Sequence, residues 1–363
     1  MISHLLRNLV YQKSIERRMN PGVMTQLFQF ILGLAVLILL HELGHFLVAR
    51  LLHIEVEEFG IGFPPRMAKL FEAGGTVYSL NWIPLGGFVR PKGENDPSIP
   101  GSLAAASPWA RLGFLVAGPI MNILIGIILA IGLFYSMGEP ISNQVKIAYV
   151  DPSSPAATAG LATNDMITAI NGQKIDSMQT VIDIIGKNLD KPVQISVQRG
   201  SETKIVTLTP RSNPPPNQGA IGIRMTNPTR PISFLTAMER GTQAALDYIH
   251  NVLALPLRLI RGTAAPEEGR LLGYRGMFEI YQQLDSPLYF FMAISMSLGI
   301  FNLLPIPALD GGRILLTLPE ILLRKRIPPK YENMIHLIGF TLLLILLIYI
   351  NLQDFINPVQ LPK

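Results

Sequence analysis

Residues 30–49 read FILGLAVLILLHELGHFLVA and place ionisable groups inside an apolar run. A run of about 20 residues is long enough for a helix to cross a bilayer. On such a helix His41 and His45 lie on the same side, one turn apart, so both imidazoles can reach one ion. Glu42 lies on a nearby face, where it can hold a water on that ion. Because ionisable groups inside a span are costly and usually functional, the stretch predicts a metal-activated water within the membrane.

The composition of the 363-residue chain is that of a membrane protein with a soluble insert. It is 49% hydrophobic and 15% charged, whereas soluble domains carry about 25% charged residues. The net charge of +5 is modest and the basic residues form no stripe, so nucleic acid is not an expected partner. The chain has no cysteine, so any zinc must be held by histidine and carboxylate. Of its six histidines only His41 and His45 have ligand spacing; others, such as His336, are expected at surfaces or interfaces.

Four apolar segments predict about four transmembrane helices. After the segment around residues 30–49, they run from about Ala110 to Met137, Leu288 to Ile306 and Ile335 to Leu352. Basic residues are concentrated after the first and third segments, which predicts that those connections are cytoplasmic. The basic N-terminal tail would then lie outside, which argues against this orientation, but the two connections are richer in Lys and Arg.

The third apolar segment ends in an unusual sequence, NLLPIPALDGG, at residues 302–312. Two prolines break the helix there and two glycines free the backbone after it. A broken helix is tolerated at membrane depth where it lines a protein cavity or a site. The carboxylate of Asp310 needs a partner in such a place, and zinc is the obvious one.

The connection between the first two spans predicts a bent β-hairpin at the membrane face. After EEFGIGFPPR at residues 57–66, two strand-like runs extend from Thr76 to Leu80 and from Gly87 to Arg90. Glycine, proline and aromatic residues are interleaved between and around them. A plain surface hairpin is the alternative.

Residues 140–212 have the composition of a small soluble β-rich domain. Within them, SSPAATAGLATNDMITAINGQKI at residues 153–175 resembles the bacterial form of a PDZ domain, with Asn164-Asp165 where that pattern usually has Gly-Asp. The resemblance implies binding of an extended peptide ligand by strand addition. A domain that only screens access to the membrane site is the alternative.

The fold class that follows is a multi-span α-helical membrane protein with a membrane-associated β-hairpin and an inserted α+β PDZ-like domain. Residues 232–260 read as amphipathic helices on the membrane surface or against the soluble domain, or as a weak span, and residues 263–283 as a loop. The predicted divisions are an N-terminal polar tail at 1–23, a first membrane-core segment at 24–139, the PDZ-like domain at 140–212, linker and amphipathic helices at 213–285, a second membrane-core segment at 286–357 and a C-terminal tail at 358–363.

Three features in this order resemble the site-2 protease family of intramembrane zinc metalloproteases: HELGH at 41–45, the PDZ-like insert, and NLLPIPALDGG at 302–312. The resemblance covers nearly the whole chain after the N-terminal tail. Gly118-Pro119-x-x-Asn122 also looks like the family, although on its own it indicates only close helix packing. One departure is Gly273-Tyr274-Arg275-Gly276, where many relatives have a Gly-Pro pair.

The resemblance implies that His41, His45 and Asp310 bind one Zn2+ ion and that Glu42 is the general base and acid. It also makes Asn302 a candidate for holding the unwound substrate or the transition state. Its implied substrates are single-span membrane proteins already trimmed outside the membrane, such as an anti-sigma factor or a remnant signal peptide. The predicted location is the cell inner (plasma) membrane, multi-pass. The distribution of basic residues predicts an active site toward the cytoplasm and a PDZ-like domain on the extracytoplasmic side.

Two other readings of the same residues compete with this one. In a proton-coupled transporter, the two histidines would be packed or would relay protons, but transport does not require Asp310 within a Pro-x-Pro-x-Leu-Asp-Gly segment. In a non-catalytic membrane scaffold, the PDZ-like domain would bind partners, but a protein without activity would be expected to lose Glu42 first.

Overall fold

The computed structural model describes residues 21–94, 96–215, 218–284 and 286–357. Contacts divide the chain into two compact units, one formed by Met1–Leu133 with Met238–Lys363 and the other by Phe134–Ala237. The predicted C-terminal tail, and the N-terminal tail up to residue 20, lie outside the described residues.

The first unit contains the apolar helices. Among the described residues three helices are long and apolar enough to cross a membrane: α1 (Pro21–Leu51), α2 (Pro108–Met137) and α9 (Pro329–Ile356). The third predicted span corresponds to α7 (Pro287–Leu303), an apolar helix of 17 residues. At 1.5 Å per residue this helix is about 25 Å long, somewhat shorter than a hydrocarbon core of about 30 Å. The structure therefore confirms apolar helices that could span a membrane, while the count of four stays a prediction.

The hairpin consists of two long antiparallel strands, β1 (Val56–Ala73) and β2 (Thr76–Pro91). The prediction that Thr76–Leu80 and Gly87–Arg90 are its two strands is wrong, because both runs belong to β2. Residues 58–61 of β1 pair with both runs, with 77–80 and with 87–90, so the two runs are not partners of each other. The chain reverses instead at Gly74-Gly75, both of which have positive φ. β2 lies close against α1: a Cβ at Gly87 would be 2.9 Å from Leu39 Cδ1.

The predicted amphipathic segment forms one helix, α5 (Phe234–Ile260). From Met238 onward it packs within the first unit, where Ala245 shares a core cluster with Ala130 of α2 and Met296 of α7. The Tyr248 hydroxyl donates a hydrogen bond to the Ala293 carbonyl at 3.1 Å. This part of α5 is therefore held by α2 and α7.

The segment predicted as a loop after α5 contains two short helical elements. They are a 3₁₀ helix at Pro266–Gly269 and the helix α6 at Tyr274–Tyr281. The first amides of α6 are satisfied by a distant residue, since the Asp354 carboxylate of α9 accepts hydrogen bonds from Gly273 N–H at 2.7 Å and Gly276 N–H at 3.0 Å. A carboxylate at a helix N-terminus stabilises the helix, and this long-range cap explains a helix that the local sequence does not predict. Helix α8 spans Asp310–Leu323.

The second unit is a β-sheet domain. Its elements are β3 (Glu139–Pro140), β4 (Val145–Val150), α3 (Pro155–Thr158), β5 (Met166–Ile170), β6 (Gln173–Lys174), α4 (Met178–Lys187), β7 (Val193–Arg199), β8 (Glu202–Leu208), β9 (Ile223–Thr226) and β10 (Thr229–Arg230). The strand order of its main sheet is β8-β7-β5-β4-β9, and β6 pairs with β5. β9 pairs with β4 but lies beyond the predicted domain boundary at residue 212. Proline-rich sequence before β9 suggests a linker locally, whereas the pairing that places β9 in the sheet is long-range.

Asn164-Asp165, the departure from the PDZ pattern, has a clear structural role. Asn164 has a φ of +74°, a conformation that glycine adopts freely and that asparagine tolerates better than most residues. Asp165 is buried and paired with Arg199, whose Nε donates to it at 2.7 Å. Burial on its own raises the pKa of the Asp165 carboxyl, but the hydrogen bonds from Arg199 and from the Ala162 N–H outweigh that effect and hold the pKa below its usual value.

Candidate active site

Three side chains of the first unit each place one possible metal-ligand atom close to the other two. The Nε2 atoms of His41 and His45 are 3.2 Å apart, and Asp310 Oδ2 lies 3.2 Å from the first and 3.5 Å from the second. In a tetrahedral zinc site with bonds of about 2.0–2.1 Å, ligand atoms lie about 3.3–3.4 Å from one another. The triangle therefore fits one tetrahedral zinc ion with a fourth position open. Among the described residues this is the one group of three such side chains with that geometry.

The histidine rings are fixed by the helix facing them. Both side chains are buried on α1, and His45 Nδ1 lies 2.7 Å from the Phe114 carbonyl of α2. A carbonyl can only accept, so Nδ1 carries the proton and donates it, which leaves the Nε2 lone pair for a metal. This is the usual support for a metal-binding histidine.

Asn122 of α2 lies beside His41 Nδ1, as the Phe114 carbonyl lies beside His45 Nδ1. Its Nδ2 atom is 3.2 Å from His41 Nδ1, and its buried Oδ1 atom has no hydrogen-bond partner among the described residues. A flip of the Asn122 side-chain amide exchanges the positions of Nδ2 and Oδ1. Oδ1 then accepts from His41 Nδ1–H, and His41 Nε2 is free for the ion, as in His45. Metal binding by His41 thus requires the flipped amide.

Gly118 provides the space in which the two rings meet. A Cβ at this position would lie 2.7 Å from His41 Nε2 and nearer still to His45 Nε2. The sequence alone indicates only helix packing for the Gly118–Asn122 element. The structure places both of its ends against the imidazoles.

Glu42 and Asn302 border the same space as Asp310. A cavity of about 240 Å³ is lined by these three residues together with His41 and Asn122. Glu42 Oε2 accepts a hydrogen bond from the backbone N–H of Val89 in β2 at 3.1 Å, so the hairpin orients this carboxylate. All five residues singled out in the sequence, His41, Glu42, His45, Asn302 and Asp310, therefore meet at one place.

The chain before Asp310 turns sharply to deliver the carboxylate. Ala308 has a φ of +76°, in the left-handed region. A Cβ at Gly311 would lie 2.5 Å from the Leu303 carbonyl carbon, and one at Gly312 would lie 2.9 Å from that of Ile306. The two glycines therefore let the start of α8 fold back on the preceding backbone, and Asp310 at its first position faces the histidines.

Sequence reasoning missed His336 of α9. Its Nδ1 accepts a hydrogen bond from the Ala308 N–H at 3.1 Å, across 28 residues of chain. No partner stands at ligand spacing from His336, and a contact of this kind has no local signature in the sequence.

Known proteins are similar to this chain over most of its length or over one of its domains. The model of the family described as Peptidase family M50 matches residues 29–346. A Clostridium perfringens protein with a provisional zinc metalloprotease name is 33% identical over 334 residues, covering 91% of this chain and 98% of that protein. The regulator of sigma-W protease RasP of Bacillus subtilis is 26% identical over 412 aligned residues, covering 90% and 97%. A crystal structure of the PDZ domain of an SdrC-like protein from Listeria monocytogenes is 27% identical, with a TM-score of 0.21, and covers 23% of this chain and 88% of that domain.

Proposed function

Because this chain belongs to peptidase family M50, it is a zinc metalloprotease of the site-2 protease type, and we propose that it hydrolyses peptide bonds within transmembrane segments of membrane proteins. The observation that carries the proposal is the triangle of ligand atoms contributed by His41 and His45 of the apolar helix α1 and by Asp310. A site built on a helix of this length and hydropathy lies at membrane depth.

His41, His45 and Asp310 would hold the zinc ion. Zinc with three protein ligands supplies an activated water, whose pKa falls to about 7, and polarises the scissile carbonyl. Glu42 takes the proton of the attacking water on Oε1, since Oε2 accepts from the Val89 N–H. The same carboxyl then returns the proton to the leaving amine.

Asn302 is assigned to binding of the substrate. It lines the cavity together with Glu42 and Asp310, where its amide can donate to a substrate carbonyl or to the negative charge that develops on it. A substrate helix must unwind locally before it reaches this cavity, because its carbonyls are otherwise bonded within the helix. The unwound segment has a strand to pair with in the neighbouring hairpin β1–β2.

The substrates we propose are single-span membrane proteins already trimmed outside the membrane, such as an anti-sigma factor or a remnant signal peptide. The B. subtilis relative is named as a regulator of sigma-W protease, which supports the first class. The distribution of Lys and Arg favours an active site toward the cytoplasm and a PDZ-like unit outside. A transporter or a scaffold would not require three metal-ligand atoms at this spacing.

The test is cleavage of a tagged single-span reporter by the purified full chain in lipid, with the cut bond identified by mass spectrometry. We expect one or a few cuts within the apolar segment of the reporter. A chelator should abolish them and added zinc should restore them. Cuts confined to the soluble flanks of the reporter, or cleavage that persists in the chelator, would contradict the proposal.

A further inference from the structure

Helix α9 contacts the turn that precedes Asp310 through two residues on one of its faces. His336 and Gly339 are three positions apart and therefore neighbours on the helix surface. His336 Nδ1 accepts the Ala308 N–H at 3.1 Å. Gly339 allows the backbones to approach, since a Cβ there would lie 2.7 Å from the Pro307 carbonyl carbon and 2.8 Å from its oxygen.

The turn held in this way is not one that the chain adopts by preference. Ala308 has a φ of +76°, which is unfavourable for a residue with a Cβ. Such a conformation persists where surrounding contacts impose it. The acceptor on the Ala308 N–H and the close contact on Pro307 are contacts of this kind, and they act on two adjacent residues.

The position of this turn controls the direction of Asp310. Ala308, Leu309 and Asp310 all line the cavity that also contains Glu42 and Asn302. Asp310 Oδ2 lies 3.2 Å from His41 Nε2, so a shift of about 1 Å in the turn would spoil the ligand triangle. His336 and Gly339 lie outside this cavity lining, so any effect they have on the site passes through the turn.

We propose that His336 and Gly339 are positioning residues, which hold the turn at residues 305–308 so that Asp310 faces the two histidines. The inference rests on the proposed zinc site and adds to it a region of the chain that contributes no ligand. It assigns α9 a role in the metal centre beyond crossing the membrane.

The test uses the full-length protein and four measurements: zinc content, the rate of zinc release to a chromophoric chelator, kcat and KM for the reporter. His336→Leu removes the acceptor, while His336→Asn places an amide oxygen close to the position of Nδ1. Gly339→Ala adds a methyl group against Pro307. Gly132→Ala is the matched control, because Gly132 lies in another apolar helix and its added Cβ would meet nothing within 4 Å. His250→Leu, at an exposed histidine of α5, controls for the loss of an imidazole.

We expect His336→Leu and Gly339→Ala to release zinc about 10–100-fold faster than the wild type, the usual cost of losing support behind a metal ligand. Their kcat should fall with little change in KM. His336→Asn and both controls should stay near the wild-type values. Wild-type zinc release in both His336→Leu and Gly339→Ala, or equal defects in His336→Leu and His336→Asn, would overturn the inference.

Two further outcomes separate this inference from the proposed function. A wild-type protein that binds no zinc would overturn both together. Normal zinc and cleavage in the wild type, combined with normal behaviour of the two positioning variants, would overturn only the role of α9. If His336→Leu does not fold, the test is the comparison of Gly339→Ala with Gly132→Ala. Equal rates of zinc release in these two variants would overturn the inference.

Discussion

Glu42→Gln should keep its zinc and lose its activity. We expect kcat for the reporter to fall by roughly 10²–10⁴-fold, the range for removal of a general acid–base group. Glutamine has nearly the same shape, and its amide oxygen can still accept the hydrogen bond from the Val89 N–H that holds Glu42 Oε2 at 3.1 Å. What the amide cannot do is take a proton from water. Because Glu42 is not one of the three clustered ligands, zinc content should not change.

The matched control for this variant is Glu57→Gln, which alters an exposed carboxylate on the hairpin beside the site. Zinc content and cleavage of the reporter should both be normal in the control. Appreciable cleavage by Glu42→Gln would remove Glu42 from its proposed role. Loss of zinc from that variant would instead mean that the carboxylate binds the ion.

Gly118→Ala should weaken zinc binding and slow cleavage together. The added methyl would lie 2.7 Å from His41 Nε2 and closer to His45 Nε2, so both rings would have to move. The helices cannot easily separate to make room, because α1 and α2 already touch at Gly44, where a Cβ would lie 2.6 Å from the Ala117 carbonyl oxygen. Overpacking in a close-packed interior displaces side chains, and here the side chains displaced are the proposed metal ligands.

We expect Gly118→Ala to reduce zinc affinity and kcat by at least about 100-fold, the upper end of the cost of disturbing the support of a metal ligand. Gly132→Ala, on the same helix but in open space, is the control and should behave as the wild type. Metal analysis and reporter cleavage on both proteins provide the comparison. A Gly118→Ala protein with full zinc and normal cleavage would show that the ligand atoms are not where the structure places them.

The features of the site that could be predicted from sequence have a local signature. His41 and His45 are recognisable because helical spacing puts i and i+4 on one side, and Glu42 follows from the same motif. Asp310 stands out because prolines and glycines surround a carboxylate at the end of an apolar helix. The assembly of these residues around one point then follows from one distant contact, between α1 and the start of α8.

The features that could not be predicted depend on contacts between distant residues. His336 reaches Ala308 across 28 residues and Val89 reaches Glu42 across 47, and neither pair has a spacing rule. The strands of the hairpin are wrongly predicted because both runs pair with residues 58–61 of β1, which are distant from them in the sequence. The helix at Tyr274–Tyr281 depends on Asp354, about 80 residues away.

Metal analysis of Asp310→Ala beside the wild type tests the central assignment most directly. The wild type should contain one zinc ion per chain, and the variant should lose both zinc and cleavage, because two imidazoles alone hold zinc weakly. Asp247→Ala, at an exposed carboxylate of α5, should retain both. A full complement of zinc in Asp310→Ala would contradict the account.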